Sequence, residues 1–222
     1  MYAILRGDEI NDRSRYPAWC NLSWFCNCRD SDSSVELHYH DMAEIWLWHK
    51  GSATGVVAGE YVELHPRVML YTPEKCLHGY HCHGVHSNTG ISPRIPAGGR
   101  PGHLHFQETG EKLESPMSHV FLAPEANNAG KPAELPKSAF LRHAYADRFA
   151  ANAVVWDRAC DAWTGILVRV GSVAGDLDNE NLRLGEDELL ILPEGCRPAL
   201  RAACDSEVAF AVGWPASSDR DP

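Results

Sequence analysis

Apolar residues along this chain come in short runs, and Gly, Pro, Asn or Asp punctuates most of the gaps between them. Residues 35–40, 43–49, 67–72, 164–170, 188–192 and 208–212 read as strands. Short strands at close spacing with turn residues between them predict an all-β sandwich or barrel. A helical pattern is present only at 136–153. Residues 84–102 hold five Gly and three Pro, a composition that predicts a long loop. Such a loop serves as a lid or as an arm that contacts a second copy. A second stretch, 123–136, is rich in Ala, Asn, Gly and Pro and reads as a connector.

The pattern also repeats at an offset of 120 residues. Gly51 maps onto Gly171, Gly55 onto Gly175 and Leu64 onto Leu184. Met69-Leu70-Tyr71-Thr72-Pro73-Glu74 maps onto Leu189-Leu190-Ile191-Leu192-Pro193-Glu194 without a gap. Two similar β-units follow from this: a first domain at 1–122, a connector at 123–139 and a second domain at 140–222.

Composition narrows the function classes. At 222 residues, with 44% apolar and 23% charged, the chain is an ordinary globular one. No run of 18 apolar residues predicts a transmembrane helix. The opening MYAILRGDEI lacks the basic-then-apolar pattern of a secretory signal, so a cytoplasmic location and mostly reduced cysteines are expected. A net charge of −10 without a basic stripe argues against nucleic acid and anionic membranes as partners. Histidine is the outlier: most of the 12 lie between His38 and His119.

The densest chemistry runs from Val35 to Gly51. Side chains two apart on a strand share a face, so His38 and His40 point one way, and Glu44, Trp46 and Trp48 share a face of the next strand. His78 follows on a later strand and supplies a fourth ligand. Imidazoles with one carboxylate suit a single divalent first-row metal: Fe, Mn, Ni, Cu or Zn. Four protein ligands leave room for water, dioxygen or a chelating substrate.

The spacing His-x-His-x3-Glu-x6-Gly, followed by Pro-x-x-x-x-His, resembles the two motifs of the cupin superfamily. The resemblance covers 30–83 by motif and extends over 160–214 by strand pattern. It implies double-stranded β-helix (jelly-roll) barrels in two copies with few short helices, and His38, His40, Glu44 and His78 as metal ligands. Asp32 and Arg67 replace glycines of the motifs, Lys75 replaces the Gly of Pro-x-Gly, and Cys82 stands at a frequent Asn position. With Lys75 there, the turn before His78 need not take the family's shape. In the second copy Arg158, Cys160, Thr164 and Pro198 occupy the ligand positions. Pro198 cannot ligate and Arg158 has no lone pair to offer. The chain therefore resembles a bicupin with one metal-binding and one degenerate barrel.

Around this centre, Trp46 and Trp48 either wall a substrate pocket or pack the barrel core. Tyr80 shares the parity of His78 and is a candidate general acid. Arg94 and Arg100 are candidates to grip an anionic substrate. His81, His83, His86, His103 and His105 form a tempting second cluster, but His81 and His83 have outward parity, as do Glu36 and His49, which are expected in solvent. Cys20, Cys26 and Cys28 read as buried thiols rather than a zinc site. Three functions remain: a metal-dependent oxygenase acting on a small organic molecule; a redox-neutral isomerase, lyase or cyclase; and a non-catalytic ligand-binding or sensing protein. A homodimer is the expected assembly.

Overall fold

All strand pairings among the described residues are antiparallel, the arrangement that tight turns between short strands permit. The computed structural model describes residues 1–20, 22–66, 68–93, 103–105, 119–122, 135 and 140–215; at 103–105 and 119–122 it describes the backbone alone. Among these residues the only helical pieces are short 3-10 turns at Gly7–Ile10 and Arg13–Arg15. Among the described residues no helix is long and apolar enough to cross a membrane. The fold is an all-β jelly roll, as expected.

Contacts divide the chain into two units, Asn21–Leu122 and Met1–Cys20 with Ala123–Pro222. The first strand, β1 (Ala3–Arg6), belongs to the latter. The former holds β2 (Leu22–Arg29), β3 (Ser33–His40), β4 (Glu44–Val57), β5 (Glu60–Leu64), β6 (Val68–Thr72), β7 (His78–Pro93), β8 (His103–His105) and β9 (His119–Leu122). Its sheet runs β8-β3-β7-β4-β6-β9, with β2 also on β7 and β5 also on β4. Trp46, Trp48, Leu64, Val68, Leu70, Cys76 and Cys82 form its core, with Phe25 and Tyr80 packed against them.

The other unit holds β10 (His143–Phe149), β11 (Val154–Asp157), β12 (Thr164–Val170), β13 (Val173–Leu177), β14 (Glu180–Leu184), β15 (Glu188–Leu192), β16 (Ala199–Ala202) and β17 (Ser206–Val212). They form two sheets, β1-β15-β12-β17-β10 and β11-β16-β13-β14, around a core that includes Ile166, Val168, Leu190, Leu192 and Phe210.

The 120-residue repeat is a repeat of register. Glu44↔Thr72 and Trp46↔Leu70 in one unit correspond to Thr164↔Leu192 and Ile166↔Leu190 in the other. Gly55↔Val62 corresponds to Gly175↔Leu182, and Trp24↔Ile91 to Ala144↔Ala211. Backbone conformation repeats too. Gly51 and Gly171 have φ of +74° and +81°. A Cβ at either would meet a carbonyl oxygen, Val85 O at 2.5 Å or Asp205 O at 2.4 Å. Lys75 adopts φ +62° where Gly195 has +88°. The turn before His78 thus keeps one shape in both copies despite the lysine, at the cost of a left-handed non-glycine residue.

Three expectations are corrected. Residues 84–93 are not loop but the second half of β7, which pairs with β2 over Leu22↔Pro93 to Arg29↔His86. Gly90 is a packing glycine: a Cβ there would sit 2.0 Å from the Phe25 ring. Gly84 bends the strand at φ +63°, and its N–H donates to Asp32 Oδ1 at 2.6 Å. The remainder, 94–102, lies outside the described residues, as does 123–134. Second, 143–149 is strand β10, not helix, because it zips onto β17 through seven consecutive pairs. Third, the chain start leaves the first unit: Ala3–Arg6 pairs with β15 from Ala3↔Ile191 to Arg6↔Glu188, so residues 1–20 pack with 123–222.

Gly51→Ala and Gly171→Ala are each predicted to cost about 3 kcal/mol in urea unfolding, from the left-handed backbone and the carbonyl clash together. A cost below about 1 kcal/mol at either would contradict the shared bend.

Candidate metal centre

β3 ends in the sequence His38-Tyr39-His40, and a register shift between Val35 and His38 sets both imidazoles inward opposite the start of β7. β4 begins at Glu44, and β7 begins at His78. All four residues are buried, none more than 4% exposed. His38 Nε2 lies 3.0 Å from His40 Nε2. Glu44 Oε2 lies 3.2 Å from His40 Nε2 and 3.8 Å from His78 Nε2. The ring centroids of His38 and His78 are 4.4 Å apart. Among the described residues, His38, His40 and His78 form the group of such side chains close enough to share an ion, with ligand atoms within 4.8 Å of one another.

The tautomers are set by the backbone. His38 Nδ1–H donates to the Glu36 carbonyl at 2.7 Å, and His78 Nδ1–H donates to the Cys76 carbonyl at 2.8 Å. A carbonyl can only accept, so when these rings are neutral their Nε2 lone pairs point inward, the orientation a metal needs. Ligands about 2.1 Å from one ion are about 3.0–3.4 Å from each other; the 3.0 and 3.2 Å separations fall in that range, and the 3.8 Å between Glu44 and His78 lies just above it. The residues therefore fit a divalent transition metal.

Burial opposes ionisation of Glu44. The hydrogen bond and charge of His40, the charge of His78 and the Trp46 indole N–H outweigh it, and hold the carboxyl below its ordinary range. That indole donates to Glu44 Oε2 at 3.1 Å. Trp46 contacts Phe25 edge-on at 5.0 Å and Tyr80 at 5.8 Å, and Trp48 meets Tyr80 at 5.5 Å. Both tryptophans thus stand in the barrel core, with Trp46 the one touching the carboxylate. Burial pushes the Tyr80 phenol far up, so it is a neutral proton donor at any ordinary pH.

Other candidates fall elsewhere. Arg94 and Arg100 lie outside the described residues. His81 and His83 are exposed, bonded to Ser34 at 2.7 Å and Thr54 at 3.0 Å. The backbones of His103 and His105 are registered opposite His40 and His38. His49 was expected in solvent but is buried, with Nε2 2.8 Å from Thr89 Oγ1, because the outer face of its strand is also covered. Glu36 is exposed as expected. All eight cysteines are free thiols; Cys20 is buried, Cys26 half-buried and Cys28 exposed. Sequence reasoning missed the indole bond to Glu44, although the i, i+2 parity of Trp46 was its signal. It also missed the carbonyl partners of His38 and His78, which only the backbone path reveals.

At the equivalent positions of the other unit, the Arg158 guanidinium lies over the Trp156 ring at 4.5 Å. Cys160 is buried, and burial pushes its thiol up to about 11. Thr164 Oγ1 donates to the Ala162 carbonyl at 3.1 Å.

No family model and no curated protein matches this sequence. Solved structures do match its fold. Salicylate 1,2-dioxygenase from Pseudaminobacter salicylatoxidans is 13% identical with a TM-score of 0.53, over 86% of this chain and 70% of that one. The same enzyme with gentisate adducts gives 14% and 0.54, over 86% and 68%. The protein Ylba from E. coli is 13% identical with a TM-score of 0.61, over 95% of this chain and 81% of that one. At such identities the likeness shows the fold alone, an all-β jelly roll.

His40→Ala and His78→Ala are predicted to lose most bound metal in elemental analysis; full content in both would refute the ligand set. Occupancy of the native chain is predicted to fall on acidification towards about pH 5, because protons compete with the metal for the imidazole lone pairs. Glu44, held low, stays anionic through that window. Undiminished occupancy at about pH 5 would contradict this.

Proposed function

We propose that this chain is a bicupin with one metal-binding and one degenerate, metal-free barrel, and that its metal barrel is an oxygenase acting on a small organic molecule. The reading rests on one observation above all: buried imidazole nitrogens and a carboxylate oxygen converge at 3.0–3.8 Å. His38, His40, Glu44 and His78 would hold one divalent metal, which when bound activates dioxygen and a chelating substrate. The fold likeness to a salicylate 1,2-dioxygenase supports this direction, and hydroxylated aromatic acids are the first substrates to try.

The chain's own residues do the rest. Trp46 orients the Glu44 carboxylate through its indole N–H. Phe25, Trp46 and Trp48 exclude water and favour an apolar or aromatic substrate frame. Tyr80 keeps its proton and can donate a hydrogen bond to a developing oxyanion. That same phenol favours a second reading, a redox-neutral isomerase or lyase in which the metal would polarise a carbonyl and the Tyr80 hydroxyl would hydrogen-bond the developing oxyanion.

Oxygen uptake separates the two. Iron-loaded protein is expected to consume dioxygen on addition of one member of a panel that includes salicylate and gentisate, and zinc-loaded protein is not. Product formation without oxygen uptake would replace the oxygenase by the redox-neutral reading. Tyr80→Phe is expected to keep the metal and lose about 100-fold in turnover.

A further inference from the structure

Inward side chains of the metal-bearing unit stand in rows across the sheet, because every second residue faces in and the register aligns neighbours. One row is Phe25, Gly90, Trp46 and Leu70, from Phe25↔Gly90, Trp46↔Gly90 and Trp46↔Leu70. Two residues along, the next is Ser23, Ser92, Glu44 and Thr72, with Ser23↔Ser92 and Glu44↔Thr72 paired directly. Ser92 is thus the residue beside Glu44 on β7, and Ser23 stands beside Ser92 on β2.

Ser23 and Ser92 are 1% and 0% exposed, and neither Oγ has a hydrogen-bond partner among the described residues. Thr72 Oγ1 is already used on the Glu44 carbonyl, at 3.3 Å. A buried unpartnered hydroxyl is destabilising, so two adjacent ones call for an occupant. The fold does not demand them. The equivalent row of the other unit is His143, Val212, Thr164 and Leu192, again in direct register. Val212 and Leu192 there belong to the apolar core. The serine pair is present only where the histidine cluster is; the one hydroxyl of the other row, Thr164 Oγ1, is used on the Ala162 carbonyl.

We propose that Ser23 and Ser92 form a polar subsite that binds a neutral oxygen group, a hydroxyl or carbonyl, of the substrate while another of its oxygens reaches the metal. This rests on the metal-centre reading above. Serine hydroxyls both donate and accept, which suits a hydroxyl or carbonyl. The adjacent Glu44 carboxylate disfavours a second carboxylate in that place. The neighbouring Phe25 and Trp46 row suits an apolar frame carrying the group.

The test uses cobalt-loaded full-length protein and two probes followed by visible spectroscopy: catechol, which can span metal and subsite, and azide, which reaches the metal alone. In Ser23→Ala/Ser92→Ala the catechol Kd is expected to rise tenfold or more, with intermediate rises in the single variants. Cobalt content and azide Kd should stay within twofold. The melting temperature of the metal-free double variant should be unchanged or higher, since alanine removes an unsatisfied group. Unchanged catechol affinity, or no catechol binding by the native chain, would overturn the subsite and leave the metal centre standing. So would a clear drop in melting temperature, which would mark the serines as a structural pair. Failure of the native chain to take up cobalt would overturn the metal centre, and the subsite with it.

Discussion

The bend of the β4–β7 ribbon is the constraint on which the site depends. The two strands pair from Ile45↔Ile91 to Val57↔His78, with register shifts on either side of Lys50. Drawn straight, that ribbon would hold Glu44 and His78 at opposite ends, about 40 Å apart at strand rise. Instead their side chains lie 3.8 Å apart. The ribbon must fold over, and Gly51, in the left-handed region and pressed on the Val85 carbonyl, is where it does so. The histidine pair on β3 then needs only the shift between Val35 and His38 to meet the other two ligands.

The same bend recurs at Gly171, so both units have the geometry and differ in what fills it. Gly90 leaves a space that Phe25 occupies from the neighbouring strand. At the matching position Phe210 fills its own space, fully buried and stacked on Tyr145 at 4.7 Å. Where one unit has Tyr80 the other has Leu200, and where one has Ser92 the other has Val212. One interior keeps polar groups at a stability cost; the other is packed as a plain apolar core.

Much of this was legible in the sequence because it depends on local parity. Two-residue alternation placed His38 with His40 and Glu44 with Trp46, and the constant 120-residue offset announced the repeated register. What parity could not show was anything decided by the strand next door. Glycine at 90 read as a loop signal because its reason, the Phe25 ring, lies 65 residues away. Residues 143–149 are strand because β17 offers a partner, which no local propensity records. His49 seemed solvated because an outward face was taken for an exposed one. Ser23 and Ser92 are unremarkable until the register sets them side by side next to a buried carboxylate.

Charge explains why the two interiors differ as whole sets rather than residue by residue. A buried carboxylate is costly unless positive charge faces it, and Glu44 is kept ionised by His40 and His78. Removing any one of the three would strand the others, an anion without a counter-charge or imidazoles without an acceptor. The other unit has none of them: Thr164 stands in place of the acid, Cys160 has its thiol held neutral, and Pro198 has no polar side chain. Its one cation at these positions, Arg158, lies against the face of Trp156, where an aromatic quadrupole stands in for a carboxylate. A barrel with this register is therefore stable in two ways, with the full set of charges balanced by histidines or a metal, or with none; a partial set is the expensive state.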